Sequence, residues 1–340
     1  HTIAKRPLMS GFQPEKQLVR DYYAALSEAS PEDTAEVLQR FCHPDLIWRG
    51  YHPVGFLTGP EAVATQFWHP VKTALTSLQR RTDLFFAGRN HMADDGAVWV
   101  ASMGHLMGLF DAPLWGVRPN RKIGMLRYGA FHKVRDGKII EEAMYFDLPH
   151  LMTQAGQNPF GPQTGAHLVQ PGPVTHEGLL YHDAPEAEGT ATLHAINAMV
   201  GDLGDWNLGL PLVEELRRTW HENMIWWGPA GIGATYTIPR YAEQHSAPFR
   251  ASFANRSKSG HLCRMAEGDF GGFFGWPNFT AEFTGGFMGM PATGKRVEFR
   301  VIDFYRREGD KLAENWIFID LLHLWVQQGV DLLDRTNRIG

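Results

Sequence analysis

The stretch GKIIEEAMYFDLPHLMTQAG, residues 137–156, occurs a second time as DKLAENWIFIDLLHLWVQQG, residues 310–329. Lys, Glu, Asp-Leu, His-Leu, Gln and Gly recur at the same offsets. An earlier pair of runs, HPDLIWRG from His43 and HENMIWWG from His221, repeats in the same order. Because the repeat is as long as a domain, it indicates the duplication of a whole fold and not a solenoid of short units.

Two further pairs support the same alignment: LTGPEAVATQF (57–67) with YTIPRYAEQHS (236–246), and GHLMG (104–108) with GGFMG (285–289). Residues 157–190 between the copies are rich in Pro and Gly and have no periodicity, which predicts a connector. We therefore expect a leader over 1–13, a first domain over 14–156 and a second domain over 191–336.

The order of patterns within each copy predicts the fold class. Helical patterns such as LVRDYYAAL come first, and short strand-like runs such as GAVWVASMG and MLRYGAFHKV follow. Asp136-Gly137 lies between two such runs and predicts a tight hairpin, as does Glu308-Gly309-Asp310 in the second copy. Each copy is therefore predicted to be α+β, with N-terminal helices followed by an antiparallel sheet.

Bulk composition limits the classes of partner. A formal net charge of -5 and a pI of about 6.4 provide no positive field for a phosphate backbone, so no nucleic-acid partner is expected. We find no apolar run long enough to cross a membrane, so we expect no membrane partner and a cytoplasmic location. Cys42 and Cys263 have no paired spacing and are expected to be buried thiols.

The second copy contains MPATGKRVEFRVIDFYRREGDKLAENWIFIDLLHLWVQQGV, residues 290–330. Its P-x-TGK turn, Arg-bearing strand and E-x-W...D...L..QxG ending resemble the SnoaL-like polyketide cyclases of the NTF2-like superfamily. The resemblance implies two cone-shaped domains, each with helices packed in a curved sheet around a largely apolar cavity. It also implies that the two copies form an intrachain pseudo-dimer, with a higher oligomer possible.

The same resemblance implies acid/base chemistry, but the usual residue is missing. As aligned, the carboxylate that acts in the family's cyclases falls at Met144 in the first copy and Ile317 in the second. Related epoxide hydrolases end in a YFD motif that Asp147 matches, yet the Arg-x-Asp pair that they require is absent upstream. A reaction in such a cavity needs a desolvated carboxylate as base and a donor for the developing oxyanion.

The first copy offers more titratable residues on its strands, so we expect the functional cavity there. Glu142 or Asp147 would be the catalytic base, with His105, Tyr128 or His132 as the donor. Asp147 and Asp320 directly precede helical runs, and capping of those helices is the alternative explanation for both. Glu141 and Glu142 must face opposite sides of their strand, and the sequence leaves open which of them faces the cavity.

Other polar and aromatic residues are candidates for ligand binding, although each could equally be a core or surface residue. These are Trp48, His52, Trp68, His69, Trp226, Asp303 and Asp320. No metal-ligand spacing and no cofactor motif occurs, so neither is expected. The leading hypothesis is a cofactor-independent lyase, isomerase or cyclase acting on a small hydrophobic carbonyl compound. The alternatives are a non-catalytic binding protein for a hydrophobic molecule, and sheets that serve only for association.

Overall fold

Two domains with the same order of elements follow each other in a computed structural model that describes residues 7–167, 169–204 and 208–339. Helix α1 shows why the first elements are helices. Pro14 lies in its first turn, where a missing N–H is tolerated, and Val19, Tyr22, Tyr23 and Leu26 form one buried face. The hairpin predicted at Asp136-Gly137 is confirmed, since Arg135 pairs with Lys138 and both turn residues have positive φ.

The first domain consists of a helical part and a six-stranded sheet. Its helices are α1 (Gln13–Glu28), α2 (Thr34–Phe41), α3 (Pro60–Val63), α4 (His69–Ala74) and α5 (Leu148–Gln154), with a π-helical turn (Ala64–Trp68) between α3 and α4. Its strands are β1 (Cys42–Gly50), β2 (Phe56–Thr58), β3 (Leu75–Arg89), β4 (Val98–Phe110), β5 (Ile123–Arg135) and β6 (Lys138–Phe146).

The second domain repeats this order and adds a C-terminal helix. Its helices are α6 (Glu186–Gly204), α7 (Leu212–Arg217), α8 (Ile238–Tyr241), α9 (Ala247–Ser252), α10 (Leu321–Gln327) and α11 (Leu332–Arg338), with a π-helical turn (Ala242–Ser246) between α8 and α9. Its strands are β7 (Trp220–Trp227), β8 (Ala234–Tyr236), β9 (Phe253–Ala254), β10 (His261–Glu267), β11 (Phe270–Phe283), β12 (Arg296–Glu308) and β13 (Lys311–Ile319).

The two sheets have the same topology. The strand orders are β2-β1-β6-β5-β4-β3 and β8-β7-β13-β12-β11-β10, and β9 pairs with the end of β11. Each sheet is mixed and not antiparallel throughout, because β1 runs parallel to β6 and β7 runs parallel to β13. These two parallel strands contain the repeated HPDLIWRG and HENMIWWG runs, which places Trp48 opposite Glu142 and Trp226 opposite Asn315.

Strand register corrects one of the sequence anchors. Gly104 pairs with Tyr128 in the first sheet, and Gly275 pairs with Val301 in the second. Since Tyr128 and Val301 occupy matching positions opposite Phe146 and Ile319, Gly104 corresponds to Gly275. The GGFMG run at 285–289 instead lies in the loop after β11, so the match of GHLMG with GGFMG was wrong.

The two domains contact each other through their sheets. The rings of Phe131 and Phe304 stack with centroids 5.4 Å apart and planes within 5° of parallel, and Phe86 meets Phe304 edge-on. Arg127 of the first domain donates to the carbonyl oxygens of Ile317 (2.8 Å) and Trp227 (3.2 Å). Across the described part of the chain, no helix is both long enough and apolar enough to span a membrane.

Candidate active site

A cavity lies inside the second domain, between its helices and its sheet. Its volume is about 100 Å³. Its wall combines polar residues with a group of aromatic side chains: Trp220, Trp226, Tyr241, Phe249, Phe273, Phe279 and Phe299. An apolar cavity of about 150 Å³ in another protein takes up benzene, so this one suits a ligand of about one ring or the end of a longer molecule.

One pair of equivalent residues explains why this cavity is in the second domain and not in the first, where we expected it. The π-helical turns end at Trp68 in the first domain and at Ser246 in the second. Ser246 lines the cavity, whereas Trp68 is fully buried and packs edge-on against Phe67 with ring centroids 5.0 Å apart. The indole therefore fills in one domain the space that the serine leaves open in the other.

Asp303 is the carboxylate that stands out in the cavity wall. It lies on β12, its side chain is buried, and Oδ1 accepts a hydrogen bond from Asn315 Nδ2 at 2.9 Å. Burial raises the pKa of Asp303 to about 7, although hydrogen bonds from Asn315 and Tyr305 act in the opposite direction. A carboxylate with this pKa exchanges a proton readily near neutral pH, as a general acid or base must.

The other acidic residues in the wall are engaged in ion pairs. Glu215 makes a two-pronged contact with Arg250, with distances of 2.6 Å (Oε1 to Nη2) and 3.0 Å (Oε2 to Nη1). Asp202 pairs with Arg218 at 3.1 Å. Asp303 has no such partner within 4 Å among the described residues, so its charge is balanced by hydrogen bonds and by more distant arginines. It is therefore the wall carboxylate best suited to proton transfer.

His245 and Asn278 supply neutral polar groups to the same cavity. The imidazole of His245 stacks on Trp226 with ring centroids 4.0 Å apart, and burial lowers its pKa to about 3, so it is uncharged at neutral pH. Among the described residues, His245 Nδ1 is buried without a hydrogen-bond partner, whereas the Asn278 side chain interacts with the imidazole of His261. Buried polar atoms are rarely left unsatisfied, so His245 Nδ1 is available to hydrogen-bond a bound molecule.

Sequence reasoning named Trp226 and Asp303 in this cavity and missed His245, Asn278 and Asn315. His245 lies in the YTIPRYAEQHS run that aligned with the first copy, so its position on a helix over the sheet could be anticipated. The π-helical turns shift that alignment by one residue, so that Phe67 and not Gln66 is the match of His245. The role of His245 could not be anticipated, because Phe67 is a core residue, which packs on Trp48 as His245 packs on Trp226.

In the first domain, Glu142 and His132 meet inside a filled core. Glu142 is the buried member of its pair with Glu141, and Oε2 lies 3.3 Å from His132 Nδ1. Trp48 Nε1 donates to Glu142 Oε1 at 3.3 Å, and Tyr23 Oη lies 2.5 Å from His132 Nε2. The structure thus gathers two of the predicted catalytic residues with the predicted ligand residue Trp48, but large side chains occupy the space beside them.

Of the remaining first-domain candidates, Tyr128 borders that cluster beside Tyr23, and the three histidines lie apart from it. Tyr128 Oη hydrogen-bonds Ser102 Oγ at 2.8 Å, and His105 Nδ1 lies 3.6 Å from Asp83 Oδ2. His69 is half exposed near Glu32 on the surface. His52 contacts the second domain through its backbone, and burial lowers the pKa of its imidazole. We therefore find these four residues in separate environments and not around one ligand.

Asp147 and Asp320 cap helices and join the domains. Asp147 accepts the N–H of His150 at the start of α5, and Asp320 accepts that of His323 at the start of α10, so the capping explanation is confirmed. The second oxygen of each carboxylate accepts an N–H from the other domain, that of Ala230 and of His52 respectively. Both oxygens of each carboxylate are therefore occupied in buried contacts, while the roles of Asp147 as catalytic base and of Asp320 as ligand residue stay predictions.

No group of three or more His, Cys, Asp or Glu residues that could hold a metal ion occurs within the described ranges.

Two family models match the chain. The SnoaL-like domain model matches residues 19–142, and the SnoaL-like polyketide cyclase model matches residues 275–328. Each match falls in a different copy. None of the curated proteins matches the chain.

Solved structures similar to this chain each cover one copy. A proposed SnoaL-like polyketide cyclase from Jannaschia sp. CCS1 is 18% identical, with 42% of this chain and 93% of that chain covered and a TM-score of 0.34. IdmH from Streptomyces antibioticus, a proposed polyketide cyclase, is 20% identical (42% and 99% covered, TM-score 0.32). An NTF2-like protein from Burkholderia thailandensis E264 is 19% identical (42% and 97% covered, TM-score 0.31).

Proposed function

We propose an acid/base activity in the second-domain cavity of this chain. The chain belongs to the SnoaL-like polyketide cyclase family and consists of two tandem NTF2-like domains. The reaction would be a cofactor-independent cyclisation, isomerisation or elimination on a small hydrophobic carbonyl compound. One observation carries the proposal: Asp303 is a buried carboxylate in an aromatic cavity, and its pKa is raised to about 7. The family supports the general type of reaction, and the residues of the cavity support its location in this chain.

Each polar group of the cavity has a part in the proposed reaction. Asp303 would remove a proton next to the substrate carbonyl and return it at another position. Asn315 would hold the carboxylate in place through its 2.9 Å hydrogen bond. The neutral His245, with Nδ1 unpartnered, would donate to the carbonyl oxygen as it gains negative charge, provided that Nδ1 carries the proton. Exclusion of water by the aromatic wall would strengthen both interactions.

The first domain would then be a scaffold, and the contacts between the sheets support an intrachain pseudo-dimer. The hydrogen bonds of Asp147 to Ala230 and of Asp320 to His52 are related in a reciprocal way, as a two-fold interface requires. The Trp68 indole fills the space in the first domain that corresponds to the second-domain cavity, which favours one working cavity in the chain. Glu142 and His132 would contribute to the stability of the core.

The test measures proton exchange directly. Native mass spectrometry of the purified protein would first identify any retained ligand, and that compound would be added to a panel of small cyclic ketones and 1,3-diketones. NMR in D2O would then follow deuterium incorporation next to the carbonyl. Loss of a general base lowers such rates by roughly 10²–10⁴-fold, and we expect that loss for Asp303→Asn. Glu142→Gln is the matched control and should retain the wild-type rate.

The outcomes separate the two domains. A rate that falls in Glu142→Gln and persists in Asp303→Asn would move the activity to the first domain. A retained ligand that the wild-type protein neither exchanges nor converts would instead favour the second candidate function, which is binding without chemistry. The unpartnered His245 Nδ1 is the observation that favours it, because it can orient a ligand without proton transfer.

A further inference from the structure

A surface depression in the first domain is separate from the second-domain cavity. It lies between α1, β3 and the connector, and its volume is about 190 Å³. Arg20 and Tyr23 contribute from α1, Arg80 and Phe85 from β3, and Tyr181 from the connector. We call this depression the Arg80 site. None of its residues takes part in the activity proposed above.

The guanidinium of Arg80 lies at the inner end of this site among aromatic rings. Its Cζ atom is 3.7 Å from the ring centroid of Tyr23, 4.8 Å from that of Tyr128 and 5.5 Å from that of Trp68. Nη1 is inaccessible to solvent and has no acceptor among the described residues. Since an arginine side chain stays protonated in proteins, a buried positive charge with an unused donor is left at this point.

The surroundings of Arg80 do not supply a counter-ion. Its main electrostatic neighbours are the hydroxyls of Tyr128, Tyr23 and Tyr22, and Tyr128 also hydrogen-bonds the guanidinium. Glu142 in the same core is not among these neighbours, and its Oε1 accepts from Trp48 Nε1. The aromatic faces offset part of the charge through cation–π contact, but they accept no hydrogen bond in the plane of the guanidinium.

Two further observations point to a ligand that carries acceptors. The indole N–H of Trp68, the aromatic neighbour of Arg80, is also buried without an acceptor among the described residues. Arg20 provides a second positive charge at the outer side of the site, with its guanidinium 4.2 Å from the ring centroid of Tyr181. Two positive charges therefore line the depression, and the buried Trp68 indole lies behind Arg80.

We propose that the Arg80 site binds a small aromatic carboxylate. The two coplanar oxygens of a carboxylate match the forked donors of a guanidinium, which gives the acid group its position. The rings of Phe85 and Tyr181, in edge-to-face contact with centroids 5.1 Å apart, form an apolar wall for the body of the ligand. A phosphate ion would leave that wall unused.

The test uses the whole chain and benzoate as the probe, with binding measured by calorimetry. Benzoate is expected to bind the wild-type protein, and Arg80→Gln should raise its Kd at least tenfold. Arg81→Gln is the matched control, because Arg81 is the next residue of β3 and its side chain is exposed; its Kd should stay unchanged. Benzyl alcohol, which has the ring without the charge, should bind at least tenfold more weakly than benzoate.

A readout in the wild-type protein covers the case in which Arg80→Gln does not fold. Benzoate should shift the NMR resonance of the Trp68 indole N–H, assigned with Trp68→Phe, and leave that of Trp226 in place. A shift of Trp226 alone would assign the binding to the second-domain cavity and overturn the proposal. Absence of benzoate binding, equal binding of benzyl alcohol, or preference for inorganic phosphate would each overturn it as well.

Discussion

Asp147 and Asp320 occupy equivalent places in the two domains, and each accepts a backbone N–H from the other domain. Asp147 Oδ2 lies 2.9 Å from Ala230 N, and Asp320 Oδ2 lies 2.8 Å from His52 N. Each carboxylate also caps the helix that follows the last strand of its own domain. The two repeated aspartates, which resemble catalytic acids in the sequence, thus connect the two domains in the structure.

Removal of either carboxylate should therefore cost more than removal of an ordinary cap. We expect Asp147→Ala or Asp320→Ala to lower the free energy of unfolding by about 2–4 kcal/mol, because a cap and a buried N–H of the other domain lose their acceptor together. Asp331→Ala is the control: Asp331 caps α11 through Asp334 N, and its loss should cost about 1 kcal/mol. Urea denaturation measures all three, and equal losses would contradict a role between domains.

The raised pKa of Asp303 predicts how stability changes with pH. Its folded-state pKa of about 7 lies above the unfolded value of about 4, so the folded protein holds this proton more tightly than the unfolded chain does. Stability from this group is therefore present below pH 4 and is lost as pH rises through 7. Asp303→Asn should be more stable than wild type at pH 8, by at most about 4 kcal/mol.

The same comparison provides its own check. The difference between Asp303→Asn and wild type should shrink to nothing as thermal or urea unfolding is repeated toward pH 4. Asp310→Asn, in the exposed hairpin between β12 and β13, should show no such trend. A constant difference across this range would mean that Asp303 ionises normally in the folded protein.

Activity should follow the ionisation of Asp303 and not that of a histidine. If Asp303 is the general base, the rate of deuterium exchange rises with pH through about 7 and then levels off, since only the carboxylate accepts the proton. His245, with a pKa of about 3, should leave no inflection near 6.5. His245→Phe should lower the rate and leave the midpoint of the profile in place, whereas a shifted midpoint would assign the ionisation to the histidine.

Repetition in the sequence predicted the fold well, because matched spacings fix matched strands. The two repeated runs occupy the same place in each sheet, with Trp48 opposite Glu142 and Trp226 opposite Asn315, although the parallel pairing itself was not predicted. The site was harder to predict, because the polar strand residues that pointed to the first domain, His132 and Glu142 among them, are buried in its core. Whether a polar strand residue lines a cavity depends on the volume of side chains that pack over it from other elements.

Trp68 in the first domain and Ser246 in the second occupy equivalent positions. Changing the size of either side chain should therefore fill the second-domain cavity or open a cavity in the first domain. Ser246→Trp should fill the second-domain cavity and abolish both ligand retention and deuterium exchange, while Ser246→Ala, which adds no volume, should leave both intact. Trp68→Ala should open a cavity in the first domain and lower the free energy of unfolding by about 3–5 kcal/mol, since the lost contacts leave a void. Circular dichroism would verify folding, and native mass spectrometry would measure ligand retention. Undiminished ligand retention in folded Ser246→Trp would place the ligand outside the second-domain cavity.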